Sequence, residues 1–194
     1  MKVIAAGFPK TGTKSVCKAL RTLGYTVYDF EENSTYLADD WAQILHHGWT
    51  TEHFQKMYKD IDAVTDYPAC CFWEEIYKAF PDSKIILMIR DDEESWFTSA
   101  ANQIREGESK MILRLFTFDI SDRKQNDGRI AFGINDSFLW KPFSLSYLNE
   151  QLMKLKYRAH NAYVLQNAPP EKLLVFKCSE GWEPLCKFLD VSDA

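Results

Sequence analysis

The chain has 194 residues, of which 46% are hydrophobic and 14% aromatic, enough to build the core of one globular domain. Its formal net charge is −5 at pH 7 and it contains no basic run, so we expect no nucleic-acid partner. No stretch approaches the roughly 20 apolar residues of a membrane span. Lys10 stands where the apolar core of a signal peptide would lie, and the five cysteines lack metal-ligand spacing. We therefore expect one cytoplasmic domain over residues 1–194, with reduced thiols.

Short apolar segments alternate with helix-like segments along the chain. Strands are predicted near residues 2–6, 25–29, 62–66, 84–89 and 172–176. Helices are predicted near residues 14–23, 36–46, 51–59, 70–79, 92–106 and 136–167, and a turn followed by a short helix is predicted over 181–189. This alternation predicts a single α/β domain, in which helices cover both faces of a central parallel sheet of about five strands. The polar segment 121–133 is predicted to be a surface turn, with a mobile loop beside a ligand site as the alternative.

The segment between the first strand and the first helix, residues 7–15, reads GFPKTGTKS. A glycine-containing turn that enters a helix presents backbone N–H groups, and the positive end of the helix dipole, to an anion. Lysines add full charge and hydroxyl groups add further donors. We predict a P-loop-type site for a phosphate or sulfate ester here, formed by Lys10, Thr11, Gly12, Thr13, Lys14 and Ser15. The alternative is a plain strand-to-helix turn with a solvated lysine.

The segment is close to the Walker A motif, G-x-x-x-x-G-K-[ST], but differs from it. The two glycines have the right separation, yet Thr13 stands between the second glycine and Lys14-Ser15. A P-loop kinase or nucleotide hydrolase that uses Lys14 and Ser15 is therefore one hypothesis. Such an enzyme needs an acidic residue near a strand end for Mg²⁺, and Asp66 or Asp91 could supply it.

A second candidate site follows the apolar segment 84–89, which has the pattern of a strand buried on both faces. It ends at Arg90, and a helix with acidic residues in its first turn is predicted to follow. Ligands of open α/β sheets bind at the carboxyl ends of the strands, so Arg90 is a candidate ligand for an anion. Thr98 and Ser99 lie about two helical turns further on. The alternative role for Arg90 is a salt bridge at the strand end.

A third segment is the short predicted strand Ala63-Val64-Thr65. It leads into Asp66 and is ended by Pro68. Asp66 is either the opening residue of a turn or a group that acts on a ligand. An ordinary aspartate has a pKa of about 3.9, so it is ionised at neutral pH and a weak base. His160, in the long helix predicted near 136–167, is one of four histidines that could also reach a site, and none of the four has metal-ligand spacing.

These segments resemble those of the sulfotransferases that use 3′-phosphoadenosine 5′-phosphosulfate. The residues PKTGT at 9–13 are similar to that family's loop for the 5′-phosphosulfate, and Arg90 with a following serine resembles its site for the 3′-phosphate. In that family the serine stands eight residues after the arginine, a spacing that selects Thr98. The local sequence SWFTS resembles members with one residue fewer, which selects Ser99. Near the end of the chain, GWEPLCKFL resembles one branch of sulfotransferase-like P-loop proteins. The resemblance extends from Val3 to Leu189 and is patchy over 33–61 and 110–150.

The resemblance implies transfer of a sulfuryl group from 3′-phosphoadenosine 5′-phosphosulfate to a hydroxyl or amine of a small-molecule or peptide acceptor. Lys10 is implied to neutralise the bridging oxygen, and the loop with Thr13 to hold the 5′-phosphate. Arg90 with Ser99 or Thr98 is implied to hold the 3′-phosphate. Asp66 stands where cytosolic members have their catalytic histidine, and no metal is expected. A member that binds the nucleotide without catalysis is a further alternative.

Overall fold

The computed structural model describes residues 1–115 and 149–191, and of residues 106–115 it describes only the helical backbone. The segment 121–133 lies outside the described residues. The strands are β1 (Val3–Ala5), β2 (Val27–Tyr28), β3 (Ala63–Val64), β4 (Lys84–Met88) and β5 (Leu173–Phe176). The helices are α1 (Thr13–Thr22), α2 (Phe30–Tyr36), α3 (Ala38–His47), α4 (Thr51–Met57), α5 (Trp73–Ala79), α6 (Glu93–Leu115), α7 (Glu150–Asn167) and α8 (Glu183–Leu189).

The five strands form one parallel sheet in the order β2-β3-β1-β4-β5. From β1 the chain leads through α1 to β2 on one side of the sheet, whereas β4 leads to β5 on the other side. The connections after β1 and β4 therefore diverge, which makes the carboxyl ends of these two adjacent strands the switch point of the sheet; the space outside these ends is called the crevice below. Open α/β sheets bind their ligands at such a switch point.

Alternate residues of the central strands pack on opposite faces, as the two-residue period of a strand requires. Ile4, Ile85 and Leu87 belong to a core with side chains of α3, α4, α5 and α7. Val3 and Ile86 belong to a second core with side chains of α1 and α8. Both faces of the sheet are thus covered by helices, and the predicted fold class is confirmed.

One helix was not predicted. Residues 36–46 were expected to form one helix, but α2 precedes α3 and ends at Tyr36. Its start carries a capping box: the Asp29 side chain accepts from the Glu31 backbone N–H, and the Glu32 carboxylate accepts from the Asp29 N–H. The spacing Asp29-x-x-Glu32 is a signal in the sequence for this helix start. Among the described helices, none has the length and apolar character that crossing a bilayer requires.

Candidate anion-binding site

The turn after β1 is held close to β4. A Cβ on Gly7 would lie 2.6 Å from the Met88 carbonyl oxygen and 2.8 Å from Thr11 Oγ1, so only glycine fits there. Thr11 Oγ1 donates to the Phe8 carbonyl at 2.6 Å, which closes the turn. Lys10 has a φ of 72°, in the left-handed region. This conformation turns the backbone sharply between β1 and α1.

The N-terminus of α1 faces the crevice without a side-chain cap. Its N-cap is Gly12, with a φ of 105°, and glycine has no side chain that could accept from the first amides. The first N–H groups of a helix have no acceptor within the helix, and together with the helix dipole they attract anions. Among the ion pairs of the described residues, none involves the Lys10 ammonium group. Lys10 is thus a cation available to a ligand at this turn.

Arg90 joins the second predicted site to the first. It follows β4 directly, and its Nε donates to the Lys10 carbonyl oxygen at 2.7 Å. Its Nη2 lies 3.4 Å from Ser99 Oγ, one turn into α6 from Trp96. Thr98 is exposed, whereas Ser99 is half-buried beside the guanidinium. The structure therefore brings the Lys10 backbone, the Arg90 guanidinium and Ser99 together at the end of β4, and it leaves Thr98 outside this group.

Two aromatic residues support this arrangement, and sequence reasoning missed them. The Trp96 indole Nε1 donates to the Pro9 carbonyl at 3.0 Å, and its ring stacks on Tyr157 with centroids 4.4 Å apart. The Tyr157 hydroxyl accepts from the Arg90 backbone N–H at 3.0 Å. The stacked pair thus ties the loop to the end of β4. The contacts join residues more than sixty positions apart in the chain, which local sequence patterns do not report.

Lys14 lies at a different place from Lys10. Its Nζ donates to Asp29 Oδ2 at 2.7 Å and to Glu31 Oε1 at 3.2 Å, at the start of α2. Burial opposes its charge, but these two carboxylates together raise the pKa of Lys14. Burial also acts against the Asp29 carboxylate, but hydrogen bonds lower its pKa to about 2. Ser15 is exposed in the first turn of α1.

Asp66 follows β3, with a φ of 66° that turns its side chain toward α1. Its Oδ2 accepts from Thr13 Oγ1 at 2.7 Å, and its Oδ1 accepts from the Tyr67 backbone N–H at 2.7 Å. Asp66 is 8% exposed and Thr13 is 4% exposed. Burial raises the pKa of Asp66, and the two hydrogen bonds oppose this rise. The Asp66 carboxyl group and the Thr13 hydroxyl thus form a buried hydrogen-bonded pair.

Two further side chains adjoin the loop. His160 Nε2 lies 2.6 Å from the Ala6 carbonyl, its ring stacks on Phe8 at 4.0 Å, and burial lowers its pKa. Cys178, which follows β5, also adjoins the loop, and its Sγ lies 3.9 Å from the Gly12 carbonyl oxygen. Burial raises the pKa of this thiol, although the Arg90 charge acts in the opposite direction. Both residues pack against the loop that faces the crevice.

A surface cavity alongside α1 is separate from this crevice. It is lined by Lys14, Cys17, Lys18, Arg21, Thr22, Asp29 and Glu31. Its lining includes neither Arg90 nor the loop before α1, so it adds nothing to the site. Within the described parts of the chain, no three His, Cys, Asp or Glu side chains are grouped so that they could share a metal ion.

A parallel sheet with an uncapped helix N-terminus and a cation at the neighbouring strand end is the architecture of P-loop-type α/β proteins. Residues 2–193 match the model of the sulfotransferase domain family. The chain is also similar to "Ava biosynthesis cluster protein M" of Aspergillus versicolor, with 31% identity over 215 aligned positions that cover 98% of this chain and 76% of that protein. The protein belongs to the sulfotransferase family, and this membership supports sulfuryl transfer as its general chemistry.

Proposed function

We propose that the protein transfers a sulfuryl group from 3′-phosphoadenosine 5′-phosphosulfate to a hydroxyl or amine of a small-molecule acceptor. One observation supports this most: the Arg90 guanidinium donates to the backbone carbonyl of Lys10, so the second cationic residue is bonded to the loop that carries the first. A donor with phosphate groups at both ends of its ribose requires two such groups. A nucleoside triphosphate carries all its phosphates at one end and leaves the second group without a partner.

In this proposal, the amides at the start of α1 bind the 5′-phosphosulfate. Thr11, Gly12, Thr13 and the exposed Ser15 form this turn, and the absence of a side chain on Gly12 leaves the amides open to an anion. The 3′-phosphate binds Arg90, with Ser99 Oγ as a second donor. Charged hydrogen bonds of this kind are strong and directional.

The reaction moves one group and one proton. The acceptor oxygen or nitrogen forms a bond to sulfur, and the bond between sulfur and the bridging oxygen of the 5′-phosphate breaks. 3′-phosphoadenosine 5′-phosphate leaves, and Lys10 stabilises the negative charge that grows on the bridging oxygen. The acceptor's proton passes to Asp66 Oδ2. Most of the catalysis is positioning and preorganised charge.

The name of the Aspergillus versicolor relative places that protein in a biosynthesis cluster. Such clusters build small molecules, which supports a small-molecule acceptor in preference to a peptide for this chain.

The environment of Lys14 disfavours the kinase hypothesis. A P-loop kinase uses the lysine at the start of its helix to bind phosphates. Here the Lys14 ammonium is held by Asp29 and Glu31 instead. A phosphate at the loop would have to compete with two carboxylates for this lysine, whereas Lys10 makes no such pair within the described residues.

Two experiments test the proposal. In a thermal-shift assay we expect 3′-phosphoadenosine 5′-phosphate to stabilise the protein at concentrations where ATP with Mg²⁺ does not. With radiolabelled donor and a panel of hydroxylated and amine acceptors, Lys10→Ala is expected to lose transfer. Lys18→Ala removes an exposed lysine of α1, the helix that follows the loop, and this matched control should keep transfer. Stabilisation by ATP with Mg²⁺ alone would replace the proposal with a kinase, and transfer by Lys10→Ala would remove the role of Lys10.

A further inference from the structure

The hydrogen bond between Thr13 and Asp66 uses the only proton that the Thr13 hydroxyl has. The distance from Oγ1 to Oδ2 is 2.7 Å, and an ionised carboxylate can only accept. Thr13 therefore cannot donate to a phosphate while it donates to Asp66. The proposed function places the 5′-phosphate at the amides of this helix start, and Thr13, the first residue of α1, carries its hydroxyl beside one of these amides.

Among the contacts of the described residues, Asp66 Oδ2 has no hydrogen bond besides the one from Thr13. Its other oxygen, Oδ1, already accepts from the Tyr67 backbone N–H at 2.7 Å. Asp66 is 8% exposed, so water replaces a lost partner poorly. When the Thr13 proton turns away, Oδ2 becomes a buried carboxylate oxygen with one hydrogen bond fewer. Such an oxygen binds a proton more strongly.

We infer that the Thr13 hydroxyl is a switch that responds to the bound nucleotide. It donates a hydrogen bond to Asp66 Oδ2 in the free protein and to the 5′-phosphate of the nucleotide in the complex. The inference rests on the proposed function and adds an order of events to it. Before the donor binds, the hydrogen bond from Thr13 stabilises the ionised carboxylate, so Asp66 is a poor base. After a nucleotide with a 5′-phosphate binds, the carboxylate loses this hydrogen bond, so Asp66 becomes a stronger base for the proton that the acceptor loses.

The charged and titratable groups around Asp66 set the background for this switch. The Lys14 cation stabilises the carboxylate, whereas the Asp29 carboxylate disfavours it. The buried Cys70 thiol, in the turn after β3, also feels the Asp66 charge, and its pKa is raised by burial first and by this charge in part. Lys14 and Asp29 bind each other, so their opposing effects on Asp66 stay paired when a ligand enters.

The test follows the titration of the Asp66 carboxyl carbon by NMR, in the free protein and with saturating 3′-phosphoadenosine 5′-phosphate. Asp66→Asn identifies the resonance. The loss of one hydrogen bond to a charged group corresponds to a rise of about one to two pH units in the titration midpoint. We expect this rise in the wild type when the nucleotide binds, and the same rise in Thr13→Ser, which keeps the hydroxyl.

Thr13→Val separates the switch from the plain charge of the nucleotide. This variant keeps the shape of the side chain but lacks the hydroxyl, so its midpoint should be raised already in the free protein. The nucleotide should then shift it by clearly less than in the wild type. An equal shift in Thr13→Val would overturn the switch, because charge alone would explain it. So would an unmoved wild-type midpoint, with binding verified by calorimetry on the same sample. A nucleotide that does not bind at all would instead overturn the proposed function, and the switch with it.

Discussion

Replacing Arg90 with alanine should weaken the binding of 3′-phosphoadenosine 5′-phosphate much more than the binding of adenosine 5′-phosphate. Arg90 has two tasks in the structure. Its Nε holds the Lys10 carbonyl at 2.7 Å, and its Nη2 lies beside Ser99, where the 3′-phosphate is proposed to bind. The first task affects both nucleotides, and the second affects only the one with a 3′-phosphate.

The size of the effect follows from the number of bonds lost. A hydrogen bond to a charged group contributes about 1.5–3 kcal/mol. Each 1.4 kcal/mol is tenfold in affinity, so Arg90→Ala should raise the Kd of the bisphosphate by about 10- to 150-fold. For adenosine 5′-phosphate, Arg90→Ala removes only the hydrogen bond that supports the loop. We expect its Kd to rise by no more than about fivefold, because the Trp96 indole still donates to the Pro9 carbonyl.

Isothermal titration calorimetry of both nucleotides with both proteins gives the four affinities. Arg158→Ala is the matched control, because this exposed arginine pairs with Glu93 and contacts neither the loop nor Ser99 in the described structure. It should leave both Kd values unchanged. Arg90→Lys keeps the charge but not the planar fork, so an intermediate loss is expected. Equal weakening of the two nucleotides by Arg90→Ala would refute the assignment of the 3′-phosphate to Arg90.

Three further predictions concern stability, each measured as the free energy of unfolding in urea. Gly12→Ala should cost about 2–4 kcal/mol, because the residue has a positive φ and the new Cβ would overlap Cys178 Sγ; Cys178→Ala in the same chain should recover most of the steric part, since the two Cβ atoms then lie 3.6 Å apart. Tyr157→Phe should cost about 1–3 kcal/mol, because it leaves a partly buried backbone N–H without its acceptor. Asp29→Asn should lose about 2 kcal/mol at neutral pH, because the folded pKa of about 2 lies below the unfolded value.

The predictions for Gly12 and Asp29 each have a control. Gly48→Ala is the control for Gly12→Ala. Gly48 has a φ of 86°, but a Cβ there would meet open space, so the substitution should show only the cost of the backbone conformation, about 1 kcal/mol. If Gly12→Ala with Cys178→Ala is no more stable than Gly12→Ala, the overlap with sulfur is not the cause. The Asp29 contribution has a depressed folded pKa, so it should be complete above about pH 4 and vanish as the pH falls toward 2. A gap between wild type and Asp29→Asn that stays constant over this range would contradict it.

The sheet was predictable because each strand is a local pattern. The apolar run before Arg90 and the run before Gly7 both mark strands buried on two faces, and parallel strands place their carboxyl ends at one edge. Arg90 therefore had to lie near the loop. What the sequence could not show is the partner of each polar atom: that Lys14 binds Asp29, or that Asp66 accepts from Thr13. These contacts depend on side-chain directions across separate elements, which no spacing in the chain encodes.

The choice between Thr98 and Ser99 shows the same limit. Both lie about two turns after Arg90, and residues adjacent on a helix point about 100° apart, so an error of one position selects a different direction. The structure puts Ser99 beside the guanidinium and Thr98 in solvent. The α2 helix is the reverse case, since its capping box Asp29-x-x-Glu32 could have been read directly from the sequence.

A crystal structure with bound 3′-phosphoadenosine 5′-phosphate would measure most directly whether one nucleotide spans both cationic groups. We expect the 5′-phosphate within hydrogen-bonding distance of the amides at the start of α1, and the 3′-phosphate within that distance of Arg90 and Ser99. A nucleotide whose 3′-phosphate lies in solvent, or whose 5′-phosphate contacts Lys14 instead of the loop, would contradict the proposed function.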